Sequence, residues 1–179
     1  MDEHKLALIE HLQAHALRTD GPFRLASGAI SDWYLDGRQT TFDGAGARLI
    51  AAAVAAALLP EVTAVGGMTM GADPIAIATA MVTEPPLRAF SVRKAAKDHG
   101  TGGRIVGPIS ETDRVAVVDD TTTTGASMAE VIDVLEGEGF KVVQAITVVD
   151  RSGGSAAELF VGRGLPYAAL VTPHELGVG

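Results

Sequence analysis

A chain of 179 residues, 47% apolar and 20% charged, has the material for one buried core, and its 22 acidic against 14 basic side chains leave a net charge of −8. That balance is the opposite of the clustered Lys/Arg that holds nucleic acid, and the lack of cysteine excludes disulfides, thiolate metal sites and a cysteine nucleophile. The opening residues Asp2, Glu3, His4 and Lys5 are not a cationic leader, and the longest apolar run, 49–59, is about half of the ~20 residues that cross a bilayer. No export signal, no membrane segment and a cytoplasmic location are the expectations.

Leu6, Ile9, Leu12 and Leu17 recur at near-helical spacing, which predicts an amphipathic helix over 2–16 that stops before Asp20-Gly21-Pro22. Two short extended pieces follow at 23–26 and 33–35, separated by a Ser27-Gly28 turn. Residues 43–59 read as a helix apolar on nearly every face, suited to burial against a sheet or a second subunit. From there β-rich runs at 62–65, 87–92, 114–119, 142–149 and 167–171 alternate with helical stretches at 74–82, 127–138 and, more weakly, 156–161. Such alternation implies right-handed crossovers and a parallel sheet flanked by helices. Val115-Ala116-Val117-Val118 is apolar on both faces, as a strand covered from both sides requires. The expected fold is one α/β domain over 1–179 with a small N-terminal appendage of about residues 1–40.

In open parallel sheets ligands sit beyond the carboxyl ends of the strands, so the loops there are where chemistry belongs. After Val118 come Asp119, Asp120, Thr121, Thr122, Thr123, Thr124, Gly125, Ala126 and Ser127. Turn and helix-start N–H groups with hydroxyls favour a phosphate, Gly125 permits close backbone approach, and two carboxylates can accept from ribose hydroxyls or hold a metal–ligand complex. No G-K-[ST] follows a glycine at Walker A spacing, and Gly100-Thr101-Gly102-Gly103 is weak as a dinucleotide fingerprint. A second loop, from Arg93 through Lys94, Lys97 and His99 to Gly103, gathers cations and glycines in an otherwise acidic chain. Such a loop suits a diphosphate leaving group, whose charge it neutralises while keeping water away. In the Gly66-Gly67-Met68-Thr69-Met70-Gly71-Ala72-Asp73-Pro74 turn, Gly66 and Gly67 are expected to give backbone approach to a diphosphate and Asp73 to cap the helix entering at Pro74. Upstream, Trp33 and Tyr34 are adjacent aromatics among only eight in the chain, and one of them can wall a flat base.

The strand, acidic pair and Thr/Gly loop resemble the phosphoribosyl-diphosphate motif of type I phosphoribosyltransferases. The R-K-x-x-K-x-H-G spacing at 93–100 resembles the catalytic loop of the orotate phosphoribosyltransferases within that family. The resemblance, which covers about residues 23–151, implies the type I phosphoribosyltransferase-like fold with an N-terminal hood, and transfer of phosphoribose from 5-phosphoribosyl 1-diphosphate to orotate. By position it implies that Arg93, Lys94, Lys97, His99 and the span Asp119 to Ser127 bind the donor, with Lys97, His99 and Arg93 catalytic. It further implies that Thr123, Arg151, Trp33, Tyr34 and Ser27 meet orotate, Arg151 through the carboxylate as its planar fork allows. Mg²⁺ is expected through the donor rather than in a protein site, and a homodimer with Lys94 shared between subunits; nucleic acid and membrane are not expected partners. Ala26 and Gly71 stand where some relatives carry lysine. A purine-specific transferase and a non-catalytic donor sensor are the alternatives, disfavoured by Arg151, the cationic loop and the lack of a basic face.

Overall fold

Strands without a polar face are stable only between two helical layers, and that requirement organises this chain. The computed structural model describes residues 3–24, 28, 30–95 and 103–179. The main sheet has the order β10 (Tyr167–Val171), β9 (Lys141–Asp150), β8 (Arg114–Thr122), β5 (Ala64–Met68), β6 (Arg88–Val92) and β7 (Ile105–Val106). The first five strands are parallel, and β7 returns antiparallel to β6. Successive residues of β8 serve opposite layers, as the two-residue period of a strand demands. Val118 packs with Leu8 and Leu12 of α1 (Glu3–His15), Ile50 and Val54 of α3 (Gly44–Ala57) and Ile75 of α4 (Asp73–Val82). Val115 and Val117 pack with Met128, Ile132 and Leu135 of α5 (Ala126–Gly137) and Phe160 of α6 (Ser155–Gly162). The parallel α/β core and its flanking helices are therefore as the sequence predicts.

Ahead of the sheet lie two antiparallel ribbons that form the hood-like appendage. β1 (Leu17–Arg18) pairs with β4 (Tyr34–Leu35), and β2 (Phe23–Arg24) pairs with β3 (Ile30–Ser31). A four-residue helix, α2 (Arg38–Thr41), which periodicity does not reveal, links them to α3. Asp43 is the N-cap of α3 and accepts from the Ala45 and Gly46 amides at 2.9 Å, satisfying donors that a helix start leaves open. The apolar α3 packs on α1, α4, β9 and β10 of its own chain along Gly46, Ile50, Ala51 and Val54. Its composition is thus accounted for within one chain and is no argument for a subunit interface.

Three expectations need correction. The strand read at 62–65 lies at Ala64–Met68, with Val62 in a turn whose amide donates to Leu59. Gly66 and Gly67 are therefore inside the strand rather than in the turn that follows it. A Cβ at Gly66 would stand 2.3 Å from the Phe90 carbonyl oxygen, and one at Gly67 would stand 2.1 Å from that of Val118, so it is the neighbouring strands that require glycine here. Asp73 is the first residue of α4 rather than its cap. Ala72 holds the cap position, and the Asp73 carboxylate accepts from the Thr69 hydroxyl at 2.7 Å.

The amino ends of the strands are tied by a buried carboxylate. Asp113, 2% exposed, accepts from the Thr63 hydroxyl at 2.8 Å, the Ser110 amide at 2.8 Å and the Arg88 guanidinium. Burial alone would raise its pKa, but the Ser110 amide, the Thr63 and Ser110 hydroxyls and Arg88 together bring it below the ordinary 3.8. A carboxylate with a depressed folded pKa stabilises fully at neutral pH and loses that contribution as the pH falls through the folded value. Asp113→Ala is expected to cost about 2 kcal/mol at neutral pH. The gap from wild type, measured by urea unfolding, should narrow as the pH is lowered through the carboxylate range.

Candidate active site

The site begins where the apolar part of β8 ends. Asp119 remains buried and faces Thr147 across the β8–β9 ladder, while Asp120 is partly open to a cleft of about 650 Å³. Asp119 accepts from the Asp120 amide at 3.1 Å and Asp120 from the Thr121 amide at 2.8 Å. Burial first, and the adjacent Asp120 carboxylate second, hold Asp119 up to about 7. Burial raises Asp120 as well, against the Thr121 amide and the charge of Arg38. A cation or a set of hydroxyl donors would relieve this pair.

The turn that follows is built by its own threonines. Thr122 is buried and its hydroxyl accepts from the Gly125 amide at 2.8 Å; the Thr124 hydroxyl accepts from Ala126 at 3.3 Å. Gly125 sits at φ +80° as the N-cap of α5 and offers no side-chain cap, and a Cβ there would crowd Leu159 and Phe160. Thr123, Thr124, Ala126 and Ser127 are exposed, and Thr121 and Ser127 line the cleft. Thr122 thus shapes the loop, whereas the exposed hydroxyls and the first amides of α5 are disposed to meet an anion.

Tyr34 to Arg38 form one wall of the cleft, the 68–71 turn another, and Lys94 a third. Asp120 is flanked by residues without a Cβ. A Cβ at Gly37 would come within 3.2 Å of its carboxylate, and one at Gly71 within 2.8 Å. The Thr69–Met70 peptide is cis. Arg93 closes the base of the cationic loop: its amide donates to the Arg104 carbonyl at 2.8 Å and its carbonyl accepts from Arg104 Nε at 2.6 Å. Arg104 also pairs with Glu130 of α5. Lys97, His99 and Ser27 lie outside the described residues, as does Ala26.

The aromatic pair divides as the strand period requires. Tyr34 lines the cleft, with its ring 5.9 Å from that of Phe23. The Trp33 ring is stacked by the Arg151 guanidinium at 4.3 Å. The Arg151 amide donates to the Thr122 carbonyl at 2.8 Å, which ties this residue to the Thr/Gly turn, and Nε is buried with no hydrogen-bond partner among the described residues. Desolvation lowers its pKa, the sign of a cation short of a counter-charge. Behind it, Asp150 accepts from the Ser152 amide at 2.7 Å and the Tyr167 hydroxyl at 3.0 Å. Of the wall residues, Asp36, Gly37 and Arg38 escape the sequence reading. The signal was an Asp-x-Arg that begins one residue beyond the aromatic pair.

A parallel sheet whose central strand delivers an acidic pair and a Thr/Gly turn to its carboxyl edge, beside a cationic hairpin, is the architecture of a phosphoribosyl transferase domain. The model of that family, described as "Phosphoribosyl transferase domain", matches residues 46–161. An orotate phosphoribosyltransferase of Streptomyces avermitilis is 39% identical over 99% of this chain and 100% of its own length. One of Mycobacterium avium is 37% identical over the whole of both chains. The crystal structure of the Mycobacterium tuberculosis orotate phosphoribosyltransferase in complex with 5-phospho-alpha-D-ribosyl 1-diphosphate superposes with a TM-score of 0.84 at 31% identity, covering 98% of this chain and 99% of that one. The chain belongs to the phosphoribosyltransferases, and within them to the orotate phosphoribosyltransferase family. At 14% identity and TM-score 0.67, an adenine phosphoribosyl transferase of Trypanosoma brucei shares the fold.

Because a methyl group at residue 71 meets a carboxylate that can swing rather than backbone, Gly71→Ala is expected to leave the unfolding free energy within about 1 kcal/mol of wild type. It should nevertheless displace Asp120 and lower kcat/KM for the ribosyl donor about tenfold. Parallel denaturation and steady-state kinetics check both halves.

Proposed function

We propose that this chain transfers phosphoribose from 5-phosphoribosyl 1-diphosphate to orotate, giving orotidine 5′-phosphate and diphosphate. The observation that carries the orotate reading is Arg151, stacked on Trp33, tied to the Thr/Gly turn and holding a buried Nε without a partner. A planar guanidinium in that state is matched by the carboxylate of a flat base, which a purine lacks. Tyr34, which lines the cleft, completes the base site, with Thr123 and Ser27 assigned by resemblance alone.

In this reading the exposed hydroxyls and amides from Thr121 to Ser127 anchor the 5′-phosphate, with Thr122 holding their turn. Asp119 and Asp120 accept from the ribose hydroxyls and face the positive charge that builds on the ring as the bond from C1 to diphosphate lengthens. A ring nitrogen of orotate forms the new bond to C1 as diphosphate departs with its electron pair. Arg93, Lys94, Lys97 and His99 receive the leaving group, and Lys97 and His99 are the assigned proton-transfer groups. No covalent nucleophile is needed.

The donor set fits Mg²⁺ only as part of a complex. Two adjacent carboxylates are present, and the described residues contain no cluster of three His, Asp or Glu that would hold a metal alone. Mg²⁺ bound to the donor would neutralise the diphosphate, and Asp119 and Asp120 are the residues that would meet it through the ribose end. Among the described residues no helix is long and apolar enough to cross a membrane; a cytoplasmic enzyme is the reading that pyrimidine chemistry favours.

The proposed assembly is a homodimer in which Lys94, which lines the cleft of its own chain here, serves the neighbouring cleft once two chains pair. An exposed apolar strip supports it: Ile77 and Met81 on α4 lie one turn apart, and Ile77 and Val106 line a groove of about 290 Å³. Combining inactive Lys94→Ala with inactive Asp120→Asn protein should restore part of the activity once subunits exchange. No recovery, with exchange confirmed, assigns each loop to its own chain.

The absorbance of orotate, followed with purified protein, Mg²⁺ and phosphoribosyl diphosphate, tests the reaction itself. Donor-dependent orotate consumption that a chelator stops, with adenine, guanine, hypoxanthine and uracil unchanged, is the expected result. Turnover of another base alone overturns the orotate assignment, and donor binding without any turnover favours a sensor.

A further inference from the structure

The cleft carries three carboxylates, Asp36, Asp119 and Asp120, yet the substrate proposed for it is a polyanion. Among its described lining residues only Lys94 and Arg38 are cationic. Gly71, on the wall opposite Arg38, supplies no charge and has no room for a side chain while Asp120 stays in place. The 5′-phosphate has its own turn and the base has Arg151, so the diphosphate is left to Lys94 and Arg38 among the described cations that line the cleft.

Arg38 is built to supply one. It opens α2 immediately after Gly37, which abuts Asp120, and it is close enough for its charge to act on Asp120 and Tyr34. Among the described residues its side chain makes one hydrogen bond, from Nε to Asp36 at 2.8 Å. That bond leaves both terminal nitrogens of the fork uncommitted, and the side chain is 55% exposed to the cleft and solvent. Asp36 is itself fixed, accepting from the Arg38 amide and from Gln39 Nε2, each at 3.3 Å. The guanidinium is therefore oriented from behind while its bidentate end faces outward, the geometry that pairs with phosphate oxygens.

We infer that Arg38 binds the diphosphate of the ribosyl donor with the free end of its guanidinium, and that Asp36 is the positioning residue that aims it. The inference rests on the proposed phosphoribosyl transfer, whose donor it completes. Arg38 is thereby a cation anchored on α2, apart in sequence from the cationic stretch that begins at Arg93.

Calorimetric titration of the wild-type protein with inorganic diphosphate and with phosphoribosyl diphosphate, both with Mg²⁺, provides the baseline. In Arg38→Ala both affinities should fall 10- to 100-fold, with KM for orotate within about twofold and the unfolding midpoint unchanged. Arg38→Lys keeps the charge without the fork and should recover part of the loss. Asp36→Asn should weaken diphosphate binding less than Arg38→Ala does and add nothing in the double variant, as expected when one residue acts through the other. Unchanged diphosphate affinity in Arg38→Ala, or an effect confined to orotate KM, overturns the assignment. So does additivity of the two substitutions for the Asp36 role. If the wild type binds diphosphate through Arg38 but does not consume orotate, the base assignment fails and this one stands. If it consumes orotate while Arg38→Ala binds diphosphate normally, the reverse holds.

Discussion

Everything at the site depends on the central position of β8. Its run Val115-Ala116-Val117-Val118 is buried from both layers and paired on both edges, with β5 and β9, so neither its register nor its direction can shift without exposing apolar surface. The first polar residues after that run are consequently delivered to one point at the carboxyl edge of the sheet. The Asp119–Asp120 pair is held there against its own repulsion and desolvation by the packing of the strand behind it. The geometry of the acidic pair is thus set by hydrophobic burial in the strand behind it.

The same reasoning explains why the surrounding walls are sparse. Gly37 and Gly71 press on Asp120 from two sides, and in both cases the missing Cβ is what lets the chain come so close. Close packing around a charged pair confines it but cannot neutralise it, so any counter-charge has to come from groups at longer reach, as that of Arg38 does. Arg151 presents the complementary case on the base side: a cation braced by Trp33 and by the Thr122 carbonyl, with a donor still unsatisfied. An excess of negative charge at Asp119 and Asp120 and an unmatched cation at Arg151 therefore mark two chemically distinct parts of the site.

Much of this was legible in the sequence because the signals were strong and local. The five parallel strands and the helices between them follow from apolar runs bounded by turns, and the phosphate turn follows from residue types in order. What the sequence obscured has physical causes. Gly66 and Gly67 read as loop punctuation because propensity treats glycine as a breaker, yet the close approach of β6 and β8 is what demands glycine there. Helix α2 is too short for any periodicity, and with it Asp36 and Arg38 were missed. Strand β7 is only two residues long and gains its identity from pairing with β6, a tertiary fact. The apolar α3 left a sheet and a second subunit both open as its cover, because sequence alone does not say whether its neighbours come from the same chain; the sheet and helices of its own chain cover it.

The clasp between Arg93 and Arg104 bears on how this family can vary. A backbone bond from Arg93 to Arg104, a bond from the Arg104 side chain back to the Arg93 carbonyl and the Arg104–Glu130 pair fix both ends of the intervening segment at one neck. With the ends fixed, the entropic cost of a longer segment grows only as the logarithm of its length, about 0.6 kcal/mol per doubling. Insertions or deletions between the two arginines therefore leave the sheet's register untouched. The neck makes the sequence between the two arginines an evolutionary module, one that can be lengthened, shortened or recharged to suit a different leaving group while the domain that carries it keeps the same fold.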